Sequence, residues 1–153
     1  MTQRAPTSAT DQHWMELAIS VARQNPSAPF GAVIIDLDSN VELARGVNRV
    51  QVDPTLHAEM VALHVWFTTH AAPRSRPLAL YTTAEPCPMC AAACCWAGVR
   101  RIVYGVSIPW LAKHGWRQIA VRATDVFAAA RPPVELTGGI LADECGRLFA
   151  AAR

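Results

Sequence analysis

Two short, well-separated segments constrain the fold of this chain most strongly. They are His57-Ala58-Glu59 and Pro86-Cys87-Pro88-Met89-Cys90. Imidazole and thiolate are ligands that zinc favours, and a site with three protein ligands leaves the fourth tetrahedral position open to water, as catalytic zinc sites do. The sequence therefore predicts a fold in which His57, Cys87 and Cys90 converge on one Zn²⁺ per chain.

Glu59 is predicted to move protons at this site. It follows His57 too closely to share the metal with it easily, but its carboxylate can lie beside a zinc-bound water and act as a general acid or base. Zinc lowers the pKa of bound water from about 15.7 to about 7, so that hydroxide is available at neutral pH. The pattern predicts hydrolytic chemistry.

Other interpretations of the cysteines are open at this stage. A Cys-x-x-Cys pair alone is typical of a structural zinc knuckle or a redox pair. Cys94 offers a fourth ligand for a closed site, but it lies one helical turn past Cys90, about 6 Å further along the helix axis, whereas zinc–sulfur bonds are about 2.3 Å long. Cys94 is therefore predicted to point elsewhere, and Cys94, Cys95 and Cys145 are predicted to pack as small apolar residues.

Composition limits the class of protein. The chain has 153 residues, 52% of them hydrophobic, and a formal net charge of +2. This predicts one domain over residues 11–153 after a loose tail at 1–10, and favours small ligands over nucleic acid. No stretch reaches the roughly 20 apolar residues of a membrane span, and no secretory segment is recognisable. With five cysteines, an odd number, a reduced, cytoplasmic setting is expected.

Hydrophobic periodicity and turn residues predict alternating helices and strands. This pattern indicates an α/β fold in three layers. Helices are predicted at 11–24, from Pro54 onward with His57 and Glu59 in the first turn, and at 86–97, 124–130 and 141–151; strands are predicted at 31–36, 41–47, 78–83, 101–106 and 134–137.

Between about residue 13 and residue 106 the chain resembles the cytidine and deoxycytidylate deaminase superfamily. Within it, the chain is similar to the small bacterial branch of guanine deaminases and tRNA adenosine deaminases. The resemblance implies a three-layer α/β/α sandwich around a central mixed five-stranded sheet. It also implies zinc-dependent hydrolysis, in which Glu59 protonates a ring nitrogen and the amino group leaves as ammonia. The matching segments are 29–33, Asn48, 57–59 and 80–90.

The same resemblance suggests residues that contact the substrate. Phe30 stands where guanine deaminases carry an aromatic that can stack on a heterocycle. Asn48 matches a position that holds a base or sugar edge, since an amide both donates and accepts. Trp96 is similar to a guanine deaminase tryptophan, and Ala58 and Glu85 lie within the matched motifs. Ordinary roles in the core, in a turn or in packing remain open for Phe30, Asn48 and Trp96.

The C-terminal third departs from the guanine deaminase pattern. Residues 148–153 lack the acidic and aromatic pair with which that family closes its pocket. Residues 107–118, which contain Trp110 and Trp116, are predicted to form either an alternative lid over a purine, pterin or triazine ring or a dimer surface.

The leading hypothesis is a deaminase of a free, guanine-like base that works as a homodimer, as the resemblance implies. The alternatives are a cytosine or cytidine deaminase, a non-catalytic zinc-stabilised interaction module, and a tRNA wobble-adenosine deaminase. The tRNA enzyme needs a basic surface for phosphates. The candidate cluster consists of Arg100, Arg101, Arg117, Arg122 and Arg131.

Overall fold

A computed structural model describes residues 9–69 and 76–152 of the chain. Helices and strands alternate along most of this length, as the sequence predicts. The elements are α1 (Ala9–Ala22), β1 (Gly31–Asp36), β2 (Val41–Val47), α2 (Ala58–Thr69), β3 (Leu78–Ala84), α3 (Pro88–Trp96), β4 (Val99–Val106), α4 (Ile108–Lys113), α5 (Ala123–Ala128), β5 (Glu135–Thr137) and α6 (Ala142–Ala151).

The five strands form one sheet in the order β2-β1-β3-β4-β5. β1 pairs antiparallel with both β2 and β3, whereas β3, β4 and β5 run parallel. The parallel half brings the carboxyl ends of β3 and β4 to the same edge, because parallel strands end side by side. The prediction of a mixed five-stranded sheet is confirmed.

Helices cover both faces of this sheet. Val33 and Ile35 of β1 pack into a core shared with α1 and α6. Ala32 and Ile34 pack into a second core shared with α2, α3 and α5. Alternate residues of a strand point to opposite faces, so one strand feeds both cores. The predicted three-layer α/β/α sandwich is confirmed.

A buried ionic network ties α1 to the parallel strands. Two guanidinium nitrogens of Arg101 donate to the two carboxylate oxygens of Asp11, each at 2.8 Å. The Tyr81 hydroxyl donates to Asp11 at 2.8 Å and accepts from Arg101 at 2.9 Å. Burial and the hydrogen bond to Asp11 raise the pKa of Tyr81 to about 12, so the hydroxyl keeps its proton. These contacts satisfy charges that burial would otherwise penalise.

Several element boundaries differ from the predicted ones. α2 begins at Ala58, not at Pro54, because the Asp53 side chain accepts hydrogen bonds from the Thr55 amide and hydroxyl and holds a turn there. α1 begins at Ala9, inside the predicted tail, whose residues 1–8 lie outside the described residues. The division into a tail and one domain stays a prediction.

α4 is a helix that the sequence analysis missed. Its signals were present, since Ser107 caps it by accepting from the Trp110 amide and Pro109 lies in its first turn. In the part of the chain that the structure describes, no helix has the length and apolar character needed to cross a bilayer. The cytoplasmic setting stays a prediction.

Candidate metal centre and substrate pocket

The three predicted metal ligands lie at the amino ends of two neighbouring helices. His57 immediately precedes α2, and its carbonyl accepts the Val61 amide at 3.0 Å. Cys87 is the N-cap residue of α3, and Cys90 lies in the first turn of that helix. Helix N-termini present unpaired amides and the positive end of the helix dipole, an environment that stabilises thiolates.

The distances among the ligand atoms fit zinc. His57 Nδ1 lies 3.5 Å from Cys87 Sγ and 3.6 Å from Cys90 Sγ. A tetrahedral zinc with bonds of about 2.3 Å to sulfur and 2.0 Å to nitrogen separates those atoms by about 3.5 Å. All three ligand atoms lie within 4.8 Å of one another, and a search of residues 9–69 and 76–152 finds this group alone. The donor set and its spacing match a zinc site with three protein ligands.

Electrostatics within this group polarise the two cysteines. Hydrogen bonds from Cys90 and His57 lower the pKa of Cys87 to about 4. The hydrogen bond to Cys87, together with burial, raises the pKa of Cys90 well above its usual value. The hydrogen bond to Cys87 also raises the pKa of His57. The lowered pKa of Cys87 favours its thiolate form, which is the form that binds zinc.

The Glu59 carboxyl lies at the bottom of the same site. The side chain is buried, with 4% of its surface exposed, and the Thr82 hydroxyl donates to its Oε1 at 3.3 Å. Burial raises the pKa of Glu59, and the nearby Cys87 thiolate acts in the same direction. This environment lets the carboxyl hold a proton more readily than it would in water, which suits the transfers expected of a general acid/base.

Cys94 is not part of the ligand group, which consists of His57, Cys87 and Cys90. It is fully buried in the core between α3 and the sheet, and burial raises the pKa of its thiol. Cys145 is fully buried in the opposite core, and Cys95 packs partly buried on α3.

Close packing between β2 and α2 positions His57 and Glu59. A Cβ atom on Gly46 would lie 2.3 Å from the Ala58 carbonyl oxygen and 2.4 Å from the Ala62 amide nitrogen. Only glycine permits the first turn of α2 to approach β2 so closely. Gly46 therefore determines how deep the α2 amino terminus lies.

A pocket of about 390 Å³ opens beside the ligand group. This volume lies within the range of small-molecule sites. Five of the predicted site residues line it together with two metal ligands: Phe30, Asn48, Glu59, Glu85 and Trp116, with His57 and Cys87. Phe30 and Trp116 meet edge to face, with ring centroids 5.6 Å apart, and form an aromatic corner.

Three further predicted contacts lie away from this pocket. Ala58 is fully buried, and its side chain packs into the core beneath α2. Trp96, at the end of α3, is 92% exposed and borders a separate surface groove. Trp110 stacks on His114 at 3.8 Å and packs towards Phe149, so its ring supports α4 instead of facing the pocket.

Residues at the end of the segment 107–118, which was predicted as either a lid or a dimer surface, complete the pocket wall. Ala28 and Val50 also line the pocket and were not among the predicted site residues. Arg117 and Gln118 follow Trp116 along it, and Gly115 lets the chain turn there with a φ of 80°. The glycine itself signals this turn, since Gly115 follows His114, the C-cap of α4, in a left-handed conformation that favours glycine.

Glu85 is saturated by hydrogen bonds within the protein. Its Oε2 accepts the Ile108 amide at 2.8 Å, and its Oε1 accepts the Ala123 amide at 2.9 Å. Arg122 Nε lies 2.9 Å and 3.0 Å from the two oxygens. The carboxylate borders the pocket, but its lone pairs are already engaged by four contacts from the chain.

Comparisons with known proteins agree with this geometry. A "Probable cytosine deaminase" from Schizosaccharomyces pombe is 33% identical over 145 residues, which cover 90% of this chain and 88% of that protein. A "tRNA-specific adenosine deaminase" from Haemophilus influenzae is 33% identical, with 92% and 81% covered. The solved structure of a guanine deaminase from Nitrosomonas europaea superposes with a TM-score of 0.79 at 25% identity, with 97% and 87% covered.

Residues 8–106 match the family model described as the cytidine and deoxycytidylate deaminase zinc-binding region. The matched stretch contains β1 to β4, His57, Glu59 and both motif cysteines, and it confirms the predicted resemblance. This chain belongs to the cytidine and deoxycytidylate deaminase family.

Proposed function

We propose that this protein hydrolyses the exocyclic amino group of a free nucleobase, guanine or a guanine-like purine, pterin or triazine ring, and releases ammonia. The observation that carries the proposal is the meeting of a buried carboxyl, Glu59, and a zinc-type ligand group in one aromatic-walled pocket. Membership of the deaminase family supports the reaction type. The choice of base rests on the pocket wall.

The side chains divide the chemistry between them. His57, Cys87 and Cys90 would hold Zn²⁺, which when bound supplies a Lewis acid and lowers the pKa of water. Glu59 takes one proton from the attacking water and delivers it to the ring nitrogen beside the reacting carbon, while the water oxygen bonds to that carbon. It then carries the second proton of the same water to the amino group, so that the carbon–nitrogen bond breaks, a carbonyl forms and ammonia leaves. Thr82 keeps Glu59 oriented through its hydrogen bond.

The pocket wall favours a ring with hydrogen-bond acceptors on its far edge. Asn48 Oδ1 accepts the Val50 amide at 3.1 Å, which leaves the Asn48 amino group as a donor at the pocket. Arg117 adds a guanidinium, and no ion pair engages it within the described residues. Guanine reacts at C2, so its O6 and N7, two adjacent acceptors, are free to meet such donors. Donors on the wall therefore suit guanine.

A tRNA substrate is the second candidate, supported by the similarity to tRNA-specific adenosine deaminases. The predicted basic cluster offers fewer free cations for phosphate groups than its five arginines suggest. Arg101 is 5% exposed and paired with Asp11, and Arg122 is bonded to Glu85. Phosphate binding needs free cations, so two of the five arginines contribute little to it.

Ammonia release by the zinc-loaded protein from guanine, cytosine and adenine tests the proposal. Glu59→Gln should keep zinc and lose turnover by at least about a hundredfold, as expected for removal of a general acid/base. Glu42→Gln, on β2 and outside the pocket, is the matched control and should retain wild-type turnover. Full activity in Glu59→Gln would contradict the proposed mechanism.

The preferred substrate separates the candidates. Preference for guanine supports the leading proposal, and preference for cytosine supports the single-ring alternative. Deamination of tRNA that collapses as salt rises from 50 to 200 mM identifies the nucleic-acid enzyme, because phosphate contacts release counterions. Absence of any zinc-dependent turnover would leave the non-catalytic zinc module.

We also propose a homodimer through the face formed by α2 and α3. A groove of about 580 Å³, lined by eight residues without a carboxylate, lysine or arginine, lies beside the projecting Trp96. In a two-fold dimer the same patch meets itself, so a projecting indole beside an apolar groove is self-complementary. Trp96→Ser should convert the dimer to a monomer in light-scattering chromatography, whereas Val52→Ser, at another exposed apolar position, should not. A monomeric wild type would refute this assembly.

A further inference from the structure

We infer that Glu85 is a positioning residue that fixes the substrate-facing wall by clamping both ends of residues 107–122, here called the wall segment. The inference rests on the proposed deaminase function and extends it to a residue outside the ligand group and the acid/base chemistry. It replaces the predicted role of Glu85 as a direct substrate contact.

The clamp consists of one carboxylate and donors from the two ends of the wall segment. At the near end, the first residue of α4, Ile108, donates its amide to Oε2 at 2.8 Å. At the far end, Arg122 donates through Nε to both oxygens, and the next residue, Ala123, donates its amide to Oε1 at 2.9 Å. Glu85 is 2% exposed, so its two bonds from backbone amides lie out of competition with water, whereas the Arg122 side chain is partly exposed.

Glu85 is itself held rigidly. It directly follows β3, and its amide donates to the Val106 carbonyl at 2.8 Å, which extends the β3–β4 ladder by one bond. Cys87 follows two positions later at the start of α3. The clamp therefore ties the wall segment to the carboxyl end of β3, which Cys87 and Cys90 also follow.

The middle of the wall segment faces the pocket. Gly115, Trp116, Arg117 and Gln118 line it between the two clamped ends. Trp116 also packs edge to face on Phe30 and on Phe149, with ring centroids 5.6 Å and 5.3 Å apart. Aromatic packing holds the middle, whereas Glu85 holds the ends, so loss of the clamp should loosen the wall and spare the ligand group.

A glutamine cannot replace this carboxylate. One of its two terminal atoms is an amino group, which would face a backbone amide donor with no acceptor between them. Glu85→Gln removes the charge and at least one amide bond at nearly constant volume. Asp11→Asn is the matched control, because Asp11 is also a buried carboxylate that accepts two bonds from an arginine, but it lies outside the pocket.

Hydrogen exchange by mass spectrometry and steady-state kinetics on the zinc-loaded protein test the inference. In Glu85→Gln we expect faster amide exchange in residues 107–122, zinc content equal to wild type, and KM raised about tenfold with a smaller change in kcat, as loss of positioning predicts. Asp11→Asn should lower the melting temperature and leave both KM and exchange in the wall segment unchanged. Arg122→Gln, which keeps the two amide bonds, should give an intermediate effect and serves if Glu85→Gln does not fold.

Two results would overturn the inference. One is an amide exchange rate in the wall segment of Glu85→Gln that equals the wild-type rate. Where Glu85→Gln does not fold, an unchanged rate in Arg122→Gln has the same meaning. The other is loss of zinc in Glu85→Gln alone, which would assign Glu85 to the ligand segment. The exchange measurement does not require turnover. If the protein releases ammonia from none of the bases, the proposed function is refuted, but the exchange measurement still tests the role of Glu85.

Discussion

Removal of Arg101 should be among the most damaging single changes outside the site. Asp11 is 4% exposed in its side chain and depends on Arg101 for two bonds of 2.8 Å. Breaking a buried pair by deleting one partner costs about 3–5 kcal/mol, because the remaining charge stays buried and loses its counter-ion. Glu135, the second partner of Arg101, is 53% exposed and adds little. For a chain of 153 residues, each kcal/mol corresponds to about 2–4 °C, so Arg101→Met should lower the melting temperature by about 6–20 °C.

A double-mutant cycle tests the cause of that loss. Calorimetry in excess zinc compares Arg101→Met, Asp11→Leu and the double variant. We expect the double variant to lose much less stability than the sum of the single variants, since an apolar pair leaves no buried charge. Additive losses, or a shift below about 2 °C for Arg101→Met, would refute the reasoning from the buried pair.

Three further changes separate packing from chemistry. Gly46→Ala should cost about 1–3 kcal/mol through overpacking and weaken zinc binding in a chelator titration, whereas Gly31→Ala, equally crowded but against α1, should cost as much and spare the zinc. Phe149→Ala removes a fully buried ring and should cost about 3–5 kcal/mol by chemical denaturation, with KM raised because Trp116 loses its support. Cys90→Ser should abolish stoichiometric zinc by elemental analysis, and retained zinc would contradict the ligand assignment.

The layers and the ligand group were predictable because local patterns carry them. β1 and β3 are continuous runs of buried residues, as expected for central strands covered on both faces, and the proline and turn residues mark where the helices begin. His57 and Cys87 each lie at the start of a helix. The prediction of those helices therefore came close to predicting that the two side chains lie together. The boundary of α2 failed for a local reason, the turn that Asp53 holds.

The pocket wall was less predictable because distant contacts build it. The bonds of Glu85 to Ile108 and Ala123 span 23 and 38 positions, and neither leaves a periodic signal in the sequence. In the sequence, nothing distinguishes Trp110 from Trp116. They differ in the folded chain because Trp110 packs towards Phe149 on α6, whereas Trp116 also packs against Phe30 in the pocket wall.

The division between ligand group and wall bears on how one family treats different bases. The family match ends at Val106, one residue before the wall segment, and includes every proposed metal ligand and Glu59. The relatives are named for cytosine, for adenosine in tRNA and for guanine. A shared ligand group with one carboxyl can support the same hydrolysis on all of these rings, because each presents an amino carbon beside a ring nitrogen. Discrimination then needs groups that touch the far edge of the ring, and in this chain Asn48, Trp116 and Arg117 border that space. A clamp at Glu85 that fixes Trp116 and Arg117 relative to the metal ligands therefore connects the part of the site that carries out the reaction with the part that selects the base.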